Sequence, residues 1–197
     1  LGDILLKHKN IYISSDDIYE HIHWNKEKFH NIVNACPKLK DRVIVLNGVS
    51  KAYSMTGWRI GYAAGDKEII KKMKTLQSQS TSCASSISQA AACEALSKVC
   101  EEMPLMTKEY KKRHDYVVEQ LNKIDGVICK ETDGTFYVFP SFKKYISNSD
   151  NIANDNELAL HLLNVAKVAV VPGSAFGQEG HIRLSIAIDI ESLKEAM

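Results

Sequence analysis

The stretch SKAYSMTGWRIGY, residues 50–62, decides the fold, because it places a lysine and an arginine directly after a buried strand. The preceding residues 42–47, RVIVLN, hold four consecutive apolar residues between polar ones, which is typical of a short buried strand. The dipeptide Asn47-Gly48 then predicts a turn. Ligands of open α/β sheets bind beyond the carboxyl ends of the strands, so Lys51 is expected at a ligand-binding position.

Lys51 and Arg59 have complementary chemistries. A lysine amine attacks a carbonyl carbon when burial or nearby positive charge lowers its pKa from about 10.4. The guanidinium of Arg59 is planar and permanently charged, which suits it to phosphate. Pyridoxal phosphate requires both an imine-forming lysine and a phosphate-binding group. A surface lysine and arginine that flank a turn remain the alternative interpretation, because short motifs also occur by chance.

A second polar group follows the predicted strand 10–14. Asp16 and Tyr19 lie three residues apart, so both side chains can enter one crevice. A buried carboxylate keeps a neighbouring ring nitrogen protonated, and a phenol that donates to a ring oxygen lowers the pKa of a lysine imine. A solvated turn is the alternative, because Ser-Asp-Asp sequences are common in loops.

The segment 181–187, HIRLSIA, alternates between apolar and polar residues. This period of two predicts a half-buried strand with Ile182, Leu184 and Ile186 on its buried face. Arg183 lies on the other face, where it must contact an anion or water, because an unpaired charge is costly to bury. An outward-facing arginine in water is the alternative.

The three segments together resemble the class I/II aminotransferases of fold type I, specifically the bacterial aspartate aminotransferase branch. That family carries Ser-Lys-(Ala/Thr)-(Tyr/Phe)-x-Met-Thr-Gly-Trp-Arg-(Ile/Leu)-Gly-Tyr, and residues 50–62 match it at every fixed position. Its segment Ser-Asp-Glu-Ile-Tyr-Glu-His matches residues 15–21 except for Asp17, which replaces the glutamate. Residues 170–177, VVPGSAFG, resemble the family's Pro-Gly-x-x-Phe-Gly loop before the arginine strand. The resemblance therefore covers nearly the whole chain.

The resemblance implies a role for each of these residues. Lys51 forms the internal aldimine with pyridoxal 5′-phosphate and later transfers the substrate α-proton. Asp16 pairs with the pyridine nitrogen, and Tyr19 contacts the 3′-oxygen. Arg59 and Ser50 bind the cofactor phosphate.

The resemblance also places the substrate. Arg183 binds the substrate α-carboxylate through two parallel hydrogen bonds. One departure from the family is visible, since many relatives carry a serine three residues before the lysine, where this chain has Gly48. One phosphate hydrogen bond is therefore expected to be missing or to come from a backbone N–H.

The implied activity is transamination between L-aspartate and 2-oxoglutarate through the imine of Lys51, with prephenate as a further substrate of some relatives. Amino acids and 2-oxo acids are the expected partners, and the family implies a homodimer with active sites at the subunit interface. Two alternatives remain open. One is another pyridoxal enzyme of the same fold, such as an aromatic or alanine aminotransferase, a β-lyase or an aminocyclopropane-carboxylate-synthase-like enzyme. The other is the aminotransferase-like sensor domain of a transcription regulator, which the near-identical lysine motif disfavours.

The predicted fold class is α/β. Helices and strands alternate up to about residue 100, which predicts a parallel layer, and the strand-rich remainder predicts an α+β lobe. The resemblance makes residues 1–107 part of the large cofactor domain, with a mostly parallel sheet and helices, and residues 108–197 the small C-terminal domain, linked by a long helix. The chain resembles the C-terminal half of its relatives, so the 197-residue piece alone is expected to be inactive.

The predicted elements are these, in chain order. Helices are expected at 1–9, 29–35, 67–77 after an Asp66 cap, 87–99, 108–123, from an Asn154 capping box to about 166, and after Asp189. Strands are expected at 11–13, 43–46, 58–64, 126–130, 136–139, 168–171 and 182–186, and a polar loop at 78–86.

Composition limits the other functions. A formal net charge of +1 gives no argument for nucleic acid or an anionic membrane as a partner. No apolar run reaches membrane-spanning length, and the first residues lack a signal-peptide pattern. Five cysteines without CxxC spacing predict reduced thiols in a cytoplasmic protein, with Cys93 and Cys100 on one buried helix face. His21 and His23 lack a third ligand in the sequence, so no metal site is expected.

Overall fold

The computed structural model describes residues 1–98 and 100–197 of the chain. Their contacts divide the chain into two compact units, Leu1–Pro104 and Leu105–Met197. Each unit contains a three-stranded sheet. Val99, the predicted last residue of the helix 87–99, lies outside the described residues.

The first unit holds three strands and most of the long helices. The strands are β1 (Ile13–Asp16), β2 (Val43–Gly48) and β3 (Gly61–Ala64). The helices are α1 (Gly2–Lys7), α2 (Ile32–Ala35), α3 (Lys67–Ser80) and α4 (Ser86–Ser97), with 3-10 turns at Pro37–Arg42 and Thr56–Trp58. Helix α5 (Glu102–Leu121) begins in this unit and continues into the second.

The register of the first sheet brings the ends of all three strands together. Strands β1 and β2 are parallel, with Asp16 opposite Leu46. Strands β2 and β3 are antiparallel, with Gly48 opposite Gly61. The carboxyl ends of β1 and β2 and the first residue of β3 therefore lie at one edge of the sheet, which we call the carboxyl edge.

The helix predicted after Asp66 is confirmed, but it is longer than expected. The side chain of Asp66 accepts hydrogen bonds from Glu68 N and Ile69 N, at 3.0 and 3.2 Å. The hydroxyls of Ser78 and Ser80 donate to carbonyls three residues earlier, at 2.7 and 3.3 Å. Because these serines bond to the helix itself, the segment predicted as a polar loop remains helical up to Ser80.

The second unit is built on short antiparallel strands. Its sheet has the order β4 (Tyr137–Val138), β6 (Ile182–Ser185) and β5 (Val171–Pro172). Around it lie α6 (Lys143–Ser147), α7 (Asp155–His161), a π-turn at Leu162–Ala166, a 3-10 turn at Gly173–Phe176 and α8 (Ile190–Ala196). The predicted alternation along β6 and the residue after it is confirmed, because Ile182, Leu184 and Ile186 are all at most 8% exposed.

Several predicted strands are wrong in extent. The strand predicted at 11–13 is observed at Ile13–Asp16, and the strand predicted at 58–64 starts at Gly61, after a 3-10 turn at Thr56–Trp58. Residues 126–130 form only an isolated bridge between Ile128 and Ser141. The side-chain amide of Asn122 bonds both N and O of Cys129, at 2.8 Å each, and so occupies the groups that a strand would pair. The strand predicted at 168–171 begins only at Val171, because Val168 N still closes the preceding turn on Leu162 O.

The cysteines are all free. The predicted shared face of Cys93 and Cys100 is wrong, because α4 ends at Ser97 and Cys93 is exposed. Cys129 alone is buried, and burial raises its pKa to about 11. In the described part of the chain, no helix is long and apolar enough to cross a membrane, and no cluster of three His, Cys, Asp or Glu residues could hold a metal ion.

Candidate active site

Five of the six predicted site residues lie at the carboxyl edge of the first sheet. Asp16 is the last residue of β1, and Tyr19 follows in the next turn. Ser50 and Lys51 come just after β2, and Arg59 lies just before β3. Because the three strands meet at this edge, two motifs that are about thirty residues apart in the sequence reach one place in the fold.

The loop that carries Lys51 is anchored by its apolar neighbours. Val49 is 0% exposed and Ala52 is 3% exposed, whereas Lys51 itself is half-buried. Ser54 N donates to Lys51 O at 3.2 Å and closes the turn behind the lysine. Two buried side chains on either side of the lysine limit how far its backbone can move.

Arg59 has an unusual backbone conformation. Its φ and ψ are 53° and 49°, in the left-handed region that few residues other than glycine adopt. Its Nη1 donates to Thr56 O at 2.9 Å, which holds the exposed side chain against the preceding turn. No acceptor for Nη2 or Nε lies within residues 1–98 and 100–197, so these N–H groups remain available to an anion.

The two aspartates at the end of β1, Asp16 and Asp17, have opposite environments. The sequence predicts a buried carboxylate at Asp16, but Asp16 is exposed, as the alternation of β1 requires. The neighbouring Asp17 is only 6% exposed and accepts a hydrogen bond from Ser15 Oγ at 2.7 Å. Asp17 Oδ2 has no hydrogen-bond partner among the described residues. Of these two carboxylates, Asp16 is thus the one that a ligand can reach.

Sequence reasoning missed a polar network behind the carboxyl edge. The Asn47 side chain donates to Glu20 Oε1 at 2.8 Å and accepts from Gly48 N at 2.7 Å. His21 Nε2 lies 3.3 Å from the same Glu20 oxygen. The network links the turn after β1 to the end of β2. The sequence nevertheless held a clue to this network, because Glu20 and His21 are part of the segment 15–21 that matches the family.

Two tyrosines beside this network stay protonated. Burial raises the pKa of Tyr53, and the nearby Cys100 and Glu20 raise it further. Burial also raises the pKa of Tyr62, with added contributions from Glu20 and Tyr53. Both phenols therefore keep their protons at neutral pH and can act as hydrogen-bond donors.

Gly48 has little space for a side chain. A Cβ at this position would lie 3.0 Å from Ile60 O and 3.2 Å from the Cα of Gly61, its partner in β3. The absence of a side chain lets the two strand ends approach closely. The serine of many relatives would need Ile60 or Gly61 to shift by a few tenths of an ångström.

The sixth predicted residue, Arg183, lies on β6 of the second unit. Its guanidinium carbon lies 4.4 Å from the centre of the Tyr137 ring and 4.7 Å from that of Phe176. Rings at these distances attract the cation and restrict its orientation. No carboxylate in the described parts of the chain forms an ion pair with Arg183. The arrangement suits an arginine that binds an anionic ligand.

Comparison with known proteins supports the motif analysis. Residues 1–197 match the family model described as aminotransferase class I and II. An aspartate/prephenate aminotransferase from Nitrosomonas europaea is 46% identical over an alignment of 202 positions, which covers 100% of this chain and 51% of that protein. The curated aspartate aminotransferase of Rhizobium meliloti is 44% identical over 201 residues, covering 100% of this chain and 49% of its own length.

Solved structures agree with these relatives. The crystal structure of the Rhizobium meliloti aspartate aminotransferase superposes with a TM-score of 0.92 and 44% identity, covering 98% of this chain and 50% of that one. An aromatic aminotransferase from Pyrococcus horikoshii gives a TM-score of 0.86 at 35% identity, covering 99% and 51%. The chain spans about half the length of the curated relatives it matches. Its whole length matches the family model, and the chain therefore belongs to the class I and II aminotransferases.

Proposed function

We propose that this chain is part of a pyridoxal-phosphate-dependent aminotransferase that transfers the amino group of L-aspartate to 2-oxoglutarate. The observation that carries the proposal is the meeting of Asp16, Tyr19, Ser50, Lys51 and Arg59 at the carboxyl edge. The names of the relatives from Nitrosomonas europaea and Rhizobium meliloti support aspartate as the amino donor.

The side chains at this edge fit the cofactor. Pyridoxal phosphate presents an aldehyde, a phosphate, a ring nitrogen and a ring oxygen, and the edge offers an amine, a guanidinium, a carboxylate and a phenol. Arg59 adds a specific match, because the N–H groups that it does not use within residues 1–98 and 100–197 suit a phosphate. The bound cofactor would act as an electron sink that stabilises negative charge at the substrate α-carbon.

The residues of the edge would hold and move protons. Lys51 Nζ would hold the cofactor until the substrate amine displaces it, and the released lysine amine would then take the proton from the substrate α-carbon and return it two atoms away, at the carbon that Lys51 had held. The carboxylate of Asp16 holds a proton on the ring nitrogen, because a nearby negative charge favours the protonated form. The hydroxyl of Tyr19 donates a hydrogen bond to the ring oxygen.

Two further residues would bind phosphate, and one would bind substrate. The Arg59 fork and the Ser50 hydroxyl donate to the phosphate oxygens. Arg183 binds the α-carboxylate that all amino acid substrates share, while Tyr137 and Phe176 restrict its orientation. A bidentate grip orients the substrate as well as binding it.

We further propose the assembly that the family implies. Residues 1–107 would belong to the large cofactor domain, and residues 108–197 would form the small C-terminal domain. The whole protein would be a homodimer in the cytoplasm with its active sites at the subunit interface.

The test is transamination by the full-length protein loaded with pyridoxal phosphate. Aspartate and 2-oxoglutarate should give oxaloacetate and glutamate, and prephenate is a second acceptor to assay, because the Nitrosomonas europaea relative is named for it. Alanine and phenylalanine serve as comparison donors. If alanine or phenylalanine is turned over faster than aspartate, that amino acid is the preferred donor. If no amino acid is transaminated, the proposal is refuted.

A further inference from the structure

Asp155, the first residue of α7, is a buried carboxylate that the sequence argument does not use. It is 2% exposed, and its Oδ2 accepts a hydrogen bond from Ser174 N at 2.7 Å. The neighbouring Asn156 donates from Nδ2 to Ser174 Oγ at 3.1 Å. Two side chains at the start of α7 thus hold one residue of the turn that precedes β6.

The carboxylate of Asp155 is ionised when it accepts the hydrogen bond from Ser174. Burial acts to raise its pKa, but hydrogen bonds from the Ser174 backbone and hydroxyl, its own N–H and the N–H of Gly180 outweigh burial, so its pKa is lowered. Hydrogen bonds to a charged acceptor are shorter and stronger than bonds between neutral groups. Ser174 is therefore tied to α7 by a strong contact.

Ser174 and Phe176 lie in the same tight turn, so the position of Ser174 determines that of Phe176. Gly173 N donates to His181 O at 2.7 Å, and Gln178 N donates to Gly173 O at 3.0 Å. Gly177 N closes the turn on Ser174 O at 3.0 Å. A Cβ on Gly173 would lie only 2.7 Å from the His181 Cβ, so the turn is tightly packed. A shift of Ser174 must displace the residues that follow it.

Phe176 contacts the guanidinium of Arg183 directly. Its ring centre lies 4.7 Å from the guanidinium carbon, and the ring of Tyr137 contacts the same group at 4.4 Å. Phe139 packs edge-on against Phe176 at 6.0 Å, with an interplanar angle of 89°. A chain of contacts thus runs from Asp155 through Ser174 and Phe176 to Arg183.

We propose that Asp155 is a positioning residue for the α-carboxylate grip of Arg183. The inference rests on the proposed function, because it assumes that Arg183 binds that carboxylate. The Asp155 carboxylate fixes the turn 173–177, and the turn sets where Phe176 lies against the guanidinium. Substrate binding should therefore depend on Asp155 although Asp155 does not touch the substrate.

The test compares variants of the full-length holoenzyme. Asp155→Ala should raise KM for aspartate by about tenfold, because the loosened turn 173–177 no longer holds Phe176 where it orients the Arg183 guanidinium. Both kcat and the affinity for pyridoxal phosphate should change less than about twofold. Asp155→Asn keeps the shape and one acceptor, so its effect should be smaller and in the same direction.

Asn154→Ala is the matched control. Asn154 caps the same helix by accepting from Glu157 N at 3.0 Å, but it does not bond Ser174. It should lower thermal stability and leave KM unchanged. If Asp155→Ala does not fold, Asp155→Asn decides. Equal KM values in the Asp155 variants and the Asn154→Ala control would overturn the inference.

A double-mutant cycle separates this inference from the proposed function. In an Arg183→Lys background, Asp155→Ala should raise KM less than about twofold further, because both changes act on the same grip. A full tenfold further rise would show that Asp155 acts independently of Arg183 and would refute the inference alone. Wild-type protein without any transamination would refute the proposed function, and the inference with it.

Discussion

Replacing Gly48 by alanine tests how closely the strand ends at the carboxyl edge approach each other. The added Cβ would lie 3.0 Å from Ile60 O and 3.2 Å from the Cα of Gly61. Both are backbone atoms of the neighbouring chain segment, so neither can rotate away as a flexible side chain can. Adding a methyl group to such a packed place costs about 1–3 kcal/mol of stability.

A second effect of the Gly48→Ala substitution, on the unfolded chain, raises stability. Alanine restricts the unfolded chain more than glycine does, which stabilises the folded state by about 0.4–1 kcal/mol where the backbone conformation is compatible. Gly57→Ala is the matched control, because a Cβ there would meet nothing within 4 Å. The entropy gain is common to both variants. Gly48→Ala should therefore be less stable than Gly57→Ala by about 1–3 kcal/mol.

The assay is urea unfolding of the full-length protein with the cofactor removed, because bound cofactor would shift the midpoints by itself. A difference below about 0.5 kcal/mol between the two variants would refute the close approach at Gly48. Gly48→Ser adds a hydroxyl at the same place. If the phosphate binds at this edge, this variant should bind pyridoxal phosphate about tenfold more tightly than Gly48→Ala.

The other predictions concern the side chains of the carboxyl edge in the full-length protein. Lys51→Ala should abolish transamination and the visible absorbance of lysine-bound cofactor, and wild-type turnover would exclude Lys51 from catalysis. Arg59→Ala should weaken the affinity for pyridoxal phosphate by about 10- to 150-fold, measured by titration, because a charged hydrogen bond contributes about 1.5–3 kcal/mol. An unchanged affinity would count against a phosphate role. Asp16→Asn should leave the urea midpoint nearly unchanged but lower kcat by at least about 100-fold, because the ring nitrogen loses its proton-holding partner. A kcat within a few-fold of wild type would make Asp16 a turn residue only.

Local chemistry predicted some elements well. The cap at Asp66 follows from its side-chain oxygen, which bonds the first free N–H groups of α3. The buried face of β6 follows from strict alternation, with Ile182 at 1% and Ile186 at 0% exposure. For the cap the decisive contact is local, and for β6 the sequence pattern indicates burial directly.

Other elements depend on contacts that no local pattern reveals. Residues 126–130 have strand-like composition, but the Asn122 amide takes the backbone groups of Cys129 from the end of α5. Arg59 in the candidate site also has a feature that the local sequence does not predict. Its place in the motif predicts phosphate binding, but not the left-handed conformation that precedes β3. Such features arise from tertiary packing, which overrides local preference.

The location of the candidate residues at the carboxyl edge was predictable from the sequence, but the environment of each residue was not. The motif spacing placed Asp16 and Lys51 together because parallel strands share one carboxyl edge. It did not predict that Asp16 is exposed while Asp17 is buried. It also missed the bond from Asn47 to Glu20, because a single turn residue gives no sign of a partner in another loop.

The central claim is that Lys51 carries the cofactor, and reductive trapping tests it most directly. The full-length protein is loaded with pyridoxal phosphate, reduced with borohydride, digested and mapped by peptide mass spectrometry. We expect the reduced cofactor on the peptide that contains Lys51, with no label there in the Lys51→Ala variant. Stoichiometric label on another lysine, with the Lys51 peptide unmodified, would contradict the account.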